Sequence, residues 1–209
     1  MANNYHYIVA GLPDFLLDFE AKPFDCVRVK EAVIEQLEPK ERRWTDWLAL
    51  GLQPHCLSSH FYRAVGRTRN PFIHNYFTFD KQLRNILAAF TARKDGVAIS
   101  SVLVGNDEIT EALLHSKAAD FGLKSRLDFA PKLFSILEEE NILEREHKLD
   151  RLRWDKANEA CVFHYFDINV VLCFLLKVSI LERWFALDRE RGQELFQGMV
   201  QEMRKSDIL

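Results

Sequence analysis

Glycine and proline are scarce in this chain, with 8 and 6 in 209 residues. An all-β protein needs many tight turns, and these two residues supply most of them, so such a fold is disfavoured. Cysteine is also sparse: Cys26, Cys56, Cys161 and Cys173 lie far apart, a pattern of reduced thiols in a cytosolic protein rather than of a disulfide framework. A strong charge of either sign is missing, the formal net charge being -3. General nucleic-acid binding needs a basic field that displaces counterions, and this balance argues against it. No apolar run is long enough to cross a bilayer. The longest, "VVLCFLLKVSIL", is interrupted by Lys177 and followed by Glu182 and Arg183. The opening "MANNYHYIVAGLPDF" has neither the basic start nor the apolar centre of a secretory signal.

What is present is helical patterning. With 48% apolar and 28% charged residues the chain reads as globular and long enough to bury a core. Asn70 followed by Pro71 is an N-cap with proline at the first helical position. Phe72, Tyr76, Phe79, Leu83, Ile86, Leu87 and Phe90 then recur at steps of three and four. Arg93 and Lys94 suit the negative end of the helix dipole, and Gly96 stops the helix. Further helices are expected over 25–37, from Pro39 to a glycine stop at Gly51, and through "LSSHFYRAVG". Others follow from an Asn106 cap through "DEITEALLHS" and through "APKLFSILEEE". A long charged helix is expected from Ile142 to about Phe163, with Ile142, Leu149, Leu152, Ala160 and Phe163 on one side. The apolar run forms a buried helix, and Asp188 caps a last one. The expected fold is mainly all-α, a compact bundle of about eight helices. Short strands near 5–9 and 97–104 are the exceptions allowed for. No Gly/Ser- or Pro-rich linker interrupts the chain, so 1–209 reads as one domain, with two helical subdomains meeting near 96–106 as the alternative.

Several constellations invite a chemical reading. Glu144 and His147 have the Glu-x-x-His spacing of di-iron bundles, but no second such pair exists, and surface charge is the simpler account. Cys56 with His60 and Cys161 with His164 have i, i+4 and i, i+3 spacings on expected helices, enough ligands for a zinc site. Nothing in the sequence brings the two halves together. Arg42, Arg43, Arg151 and Arg153 mix with Trp44 and Trp154, a combination that can grip phosphates and stack bases, yet acids interleave with them. Asp80, about 60° from the stripe centre at Leu83, reads as a boundary acid paired with Arg84 four residues on. No phosphate loop or nucleophile motif appears, so no catalytic residue, cofactor or metal is assigned.

Six runs occur in order: "YHYIVAGLPD", "NILAAFTARKDG", "VGNDEITEAL", "AADFGL", "ILEREHKLDRLRWDKA" and "HYFDINVVLCFLLKVSILERWFALD". Together they resemble an uncharacterised bacterial family, a domain of unknown function whose genes stand among those of V/A-type ATPase subunits. Separately, "FTFDKQLRNILAAFTARK" resembles a helix of the central-stalk socket subunit of those ATPases. In that comparison "YFDINVVLCFLLK" is a second copy, with Asp167 matching Asp80 and Val170 matching Leu83, while Asn85 has no counterpart. Socket subunits are all-helical and couple the rotor shaft to the membrane ring without catalysis, and they are longer than this chain. The resemblance implies a non-catalytic subunit or assembly factor, cytoplasmic and peripheral on the membrane, with stalk or ring subunits as partners. It implies no nucleic acid and no direct membrane insertion. Asp80, Arg84, Asn85, Asp167, Trp154 and Trp184 are the residues picked as structural or partner contacts. An all-helical metalloenzyme using Glu144, His147 or the Cys/His pairs is the rival, and a nucleic-acid-binding module the third reading.

Overall fold

The computed structural model describes residues 5–187. Among them are nine α-helices, two 3-10 turns and no strand. The helices are α1 (Tyr5–Ala10), α2 (Cys26–Glu35), α3 (Pro39–Gly51), α4 (Ser59–Val65), α5 (Pro71–Lys94), α6 (Glu108–His115), α7 (Ala130–Leu137), α8 (Ile142–Glu159) and α9 (Ile168–Phe185). The all-α class expected from the sequence is the one observed. The helix expected to start at Asp188 lies outside the described residues.

Two helices organise the rest. In α9, Val171, Leu172, Leu175, Leu176, Val178, Ile180 and Leu181 are all buried, so most of the helix surface is covered, with Lys177 half-buried and Arg183 exposed. It packs against α1, α2, α3, α5 and α8. The other is α5, which contacts α3, α4, α6 and α8 as well as α9. The Asn70 side chain accepts from the Ile73 N–H at 2.8 Å, the cap that the Asn-Pro pair announced. A single hydrophobic cluster runs from Ile8 to Leu181.

Both allowed strands turn out otherwise. Residues 5–10 are helical because Tyr5, Ile8 and Val9 share one face, which closes onto α9. The β-branched segment 97–104 contains only a 3-10 turn, Ile99–Ser101. Its strand-like backbone need is met by a side chain. The buried Asn85 amide donates to the Val104 carbonyl and accepts from the Val104 N–H, each at 2.9 Å. The cap of α6 is Asp107, one residue beyond the expected Asn106, since its carboxylate reaches the Ile109 and Thr110 N–H groups at 3.1 and 3.0 Å.

Two further expectations are corrected. Helix α8 stops at Glu159, not near 163, and its expected apolar side is truncated: Leu149 and Leu152 are buried, whereas Ile142 and Phe163 are exposed. Gly51 is the last residue of α3, as expected, but not as a left-handed stop, since its φ is not positive. It is there because Phe77 and Phe61 press on it.

Candidate functional site: a buried charge network beside an apolar cleft

Helix α5 contributes Asp80 and Arg84, α8 contributes Asp150 and Arg153, α9 contributes Arg183 and Trp184, and α4 contributes Tyr62. Asp80 is 2% exposed and Asp150 1%, so neither carboxylate is solvated. Asp80 accepts from Arg84 Nε at 2.7 Å and from the Tyr62 hydroxyl at 3.3 Å, and faces Arg153 Nε at 3.9 Å. Asp150 accepts from Arg153 Nη1 at 2.8 Å, from Trp184 Nε1 at 2.7 Å, and from Arg183. Arg153 is therefore the bridge between the two acids. Burial works against its charge, but Asp150 and Asp80 outweigh that, and its pKa is raised. Burial first, then the charge of Asp80, pushes the ionisation of Tyr62 and Tyr76 well above the usual phenol range. Both hydroxyls thus stay neutral at physiological pH.

Such a network is a poor source of net stability, because removing charges from water costs nearly what their pairing returns. Its effect is positional. Asp80 and Asp150 each find their partners only when α4, α5, α8 and α9 hold one register.

The network borders a cleft of about 600 Å³. Tyr62, Arg84 and Arg153 line it together with the apolar Leu87, Val102 and Val104. Lys81, at its edge, binds the Asp107 carboxylate at 2.5 Å and so ties α5 to the cap of α6. Burial pushes the Asp107 pKa up, but the Lys81 bond and the Thr110 and Ile109 N–H groups pull harder, leaving it below the ordinary carboxylate value of 3.8. The folded state thus favours the ionised form. Its contribution is complete above the unfolded value and is lost as pH falls through the depressed folded value. Acid unfolding of Asp107→Asn should accordingly flatten below about pH 4, compared with the parent chain. Identical acid limbs in a pH series of urea melts would contradict this.

The residues picked from the sequence divide into groups. Asp80 and Arg84 make the expected pair, but Asp80 is in the interior, not at the boundary. A helical wheel counts one helix, and here Tyr62 of α4 and Arg153 of α8 cover it. Asn85 lines the same cleft and pins the segment before α6. Trp184 joins through Asp150 and packs on His147, 4.4 Å between ring centres. Trp154 is buried, with Lys177 Nζ 5.0 Å from its ring. Asp167 is elsewhere. It caps α9, accepting from the Asn169 N–H at 2.9 Å and contacting His164 Nδ1 at 2.5 Å. Asp80 is mid-helix and buried, so the two acids matched as copies occupy unlike environments.

The rival constellations are dispersed. Glu144 is exposed, and His147 stacks flat on Phe19 at 4.1 Å. Cys56 lies in the 3-10 turn Pro54–Cys56 while His60 is on α4, and Cys161 and His164 follow the end of α8, so neither pair shares a helix. Among the described residues no group of three or more His, Cys, Asp or Glu is placed to hold a metal ion. Arg42 donates to the Leu37 and Glu35 carbonyls at 3.1 and 3.0 Å, Arg43 lies over Trp44, and Arg153 is interior.

Sequence reasoning missed Asp150, in a run that read as charged surface, and Arg183, which read only as the polar end of the apolar run. The only signal was the i, i+3 spacing of Asp150 and Arg153. It also missed an aromatic surface between α8 and α9. There Phe163 is 87% exposed and Tyr165 69%, and the Phe166 ring is tilted against His6 of α1 at 4.1 Å.

Comparison with known proteins adds a family. The family described as "Protein of unknown function (DUF2764)" matches residues 52–207. The chain belongs to that family. Its match takes in α4 to α9, hence the whole charge network and the cleft. An uncharacterised protein of Chlamydia pneumoniae is 28% identical over 132 residues, which is 59% of this chain and 48% of that protein. The chain thus spans about half the length of this curated relative. No solved structure is significantly similar. No helix among the described residues is long and apolar enough to cross a membrane.

Proposed function

We propose that the chain is a non-catalytic docking subunit, or an assembly and coupling factor, of a V/A-type ATPase, peripheral on the cytoplasmic face of the membrane. The observation that carries the docking role is the exposed aromatic segment after α8, with Phe163, Tyr165 and Phe166. Large aromatic side chains turned to solvent in one place are costly to hydrate and are the side chains that dominate binding at protein interfaces. The charge network supports the same reading, because transmitting force between partners requires helices that keep one register under load. The choice of ATPase stalk or ring subunits as partners comes from the resemblance of "FTFDKQLRNILAAFTARK" and of the ordered runs.

The experiment is a pull-down from native membranes with mass spectrometry of what stays bound. The parent chain is expected to retain stalk or ring subunits. The double change Phe163→Ser and Tyr165→Ser should reduce that recovery by about tenfold or more, since interface anchors contribute about 2 kcal/mol or more each. Its thermal melt should not move, because both side chains are exposed. Equal recovery by the variant would remove the surface from the proposal. A fully coupled ATPase in cells lacking the protein would remove the ATPase role.

A further inference from the structure

Two of the four thiols meet. Cys161 follows the end of α8, and Cys173 is on the second turn of α9. Cys173 Sγ donates to the Ala157 carbonyl at 3.3 Å, and Cys161 Sγ donates to the Asn169 carbonyl at 3.3 Å. Ala157 is four residues before Cys161, and Asn169 is four residues before Cys173. Each thiol therefore reaches the carbonyl four residues upstream of the other, which brings the ends of the two side chains close together. Both line a second cleft, of about 360 Å³, together with Lys177, one turn beyond Cys173 on α9, and with Asp14 and His164. The cleft brings solvent close to both residues, Cys161 being half-buried and Cys173 buried. Cys26 and Cys56 have no such neighbour: Cys26 is in the core and Cys56 Sγ contacts the Gln53 side chain at 3.5 Å.

We propose that Cys161 and Cys173 form a peroxide-reactive dithiol, which hydrogen peroxide converts to an intramolecular disulfide. Cys173 is the attacking thiol. The adjoining Cys161 thiol and the Lys177 ammonium, which lines the same cleft, favour its thiolate against the opposing effect of burial. The Cys173 thiolate attacks one peroxide oxygen, the O–O bond breaks, and the departing hydroxide takes up the proton that Cys173 had released, becoming water. The resulting sulfenic acid on Cys173 is attacked by Cys161 sulfur. The S–O bond breaks, the S–S bond forms, and the sulfenic oxygen leaves as a second water with the Cys161 proton. Two thiols lose two electrons in all, and one peroxide gains them. The disulfide would tie the segment after α8, which carries Phe163, Tyr165 and Phe166, directly to α9. This chemistry is independent of the docking role.

The test treats the full chain, reduced and folded, with a small excess of hydrogen peroxide, then alkylates remaining thiols and maps peptides by mass spectrometry. Cys161 and Cys173 are expected in one linked peptide pair, lost from the alkylatable pool about tenfold faster than Cys56. In Cys161→Ser the sulfenic acid at Cys173 should persist and be trapped by dimedone. In Cys173→Ser, Cys161 should stay alkylatable. Circular dichroism confirms that both variants are folded. Two free thiols after treatment, or a linkage through Cys26 or Cys56, overturn the proposal. A dimedone adduct on Cys161 instead of Cys173 overturns the assignment of the attacking thiol.

Discussion

Asp150→Ala is expected to lower the unfolding free energy by about 3–5 kcal/mol, among the largest effects of any single polar substitution in the chain. The carboxylate is 1% exposed and accepts from Arg153, Arg183 and Trp184. Removing it leaves Arg153, itself almost wholly covered, with only the 3.9 Å contact to Asp80, and leaves the Trp184 N–H without its acceptor. A guanidinium in that position cannot shed its proton to escape the cost, because its pKa lies above any accessible pH. The intact pair adds little net stability, yet breaking it is expensive, since what is measured is the charge left behind. Asp150→Asn keeps an oxygen for Trp184 and should fall between the parent and the alanine variant. The control is Asp155→Ala, which breaks a 2.7 Å pair with Lys132 on the surface and should cost under about 1 kcal/mol. Urea melts of the three variants decide the matter. A loss at Asp150 no larger than at Asp155 would mean that water reaches the network.

Gly51→Ala should destabilise by about 3 kcal/mol, a fall of roughly 6–12 °C in Tm for a chain of this size. In most helices the same substitution stabilises by up to about 1 kcal/mol through lost chain freedom. The sign inverts here because a Cβ would sit 2.1 Å from both Cε1 and Cζ of Phe77 and 2.9 Å from Cζ of Phe61. Neither ring can yield easily. Phe77 is fully buried, and the two rings pack edge to face with centres 5.2 Å apart. Pairing Gly51→Ala with Phe77→Leu removes the ring that obstructs the methyl. The double variant should then be more stable than the sum of the two single losses predicts. A Tm for Gly51→Ala equal to or above that of the parent would show that α3 and α5 are farther apart at this point.

Local chemistry made several elements legible in advance. Pro39 and the Asn70-Pro71 pair mark the starts of α3 and α5 where they occur, because a fixed φ and a side-chain acceptor act within one turn. The burial of most of α9 follows from its composition alone. How the run "AADFGL" is built was not legible in advance. Phe121 adopts a φ of 53° there, a strained value for a non-glycine residue. It is held because its ring is buried beneath the Arg93 guanidinium, which also bonds the Ser116 and Ala118 carbonyls.

The sequence by itself determined the class of the fold, the starts of α3 and α5 with the Asn70 cap, and the Asp80–Arg84 pair, the local features among these depending on residues within four positions of one another. Only the tertiary structure decided that Asp80 and Asp150 are interior, that Arg153 joins them, that Gly51 is a contact rather than a stop, and that Cys161 meets Cys173. Solvation and partnership belong to groups brought together from separate helices. A carboxylate on a charged helix reads the same whether water or another helix covers it.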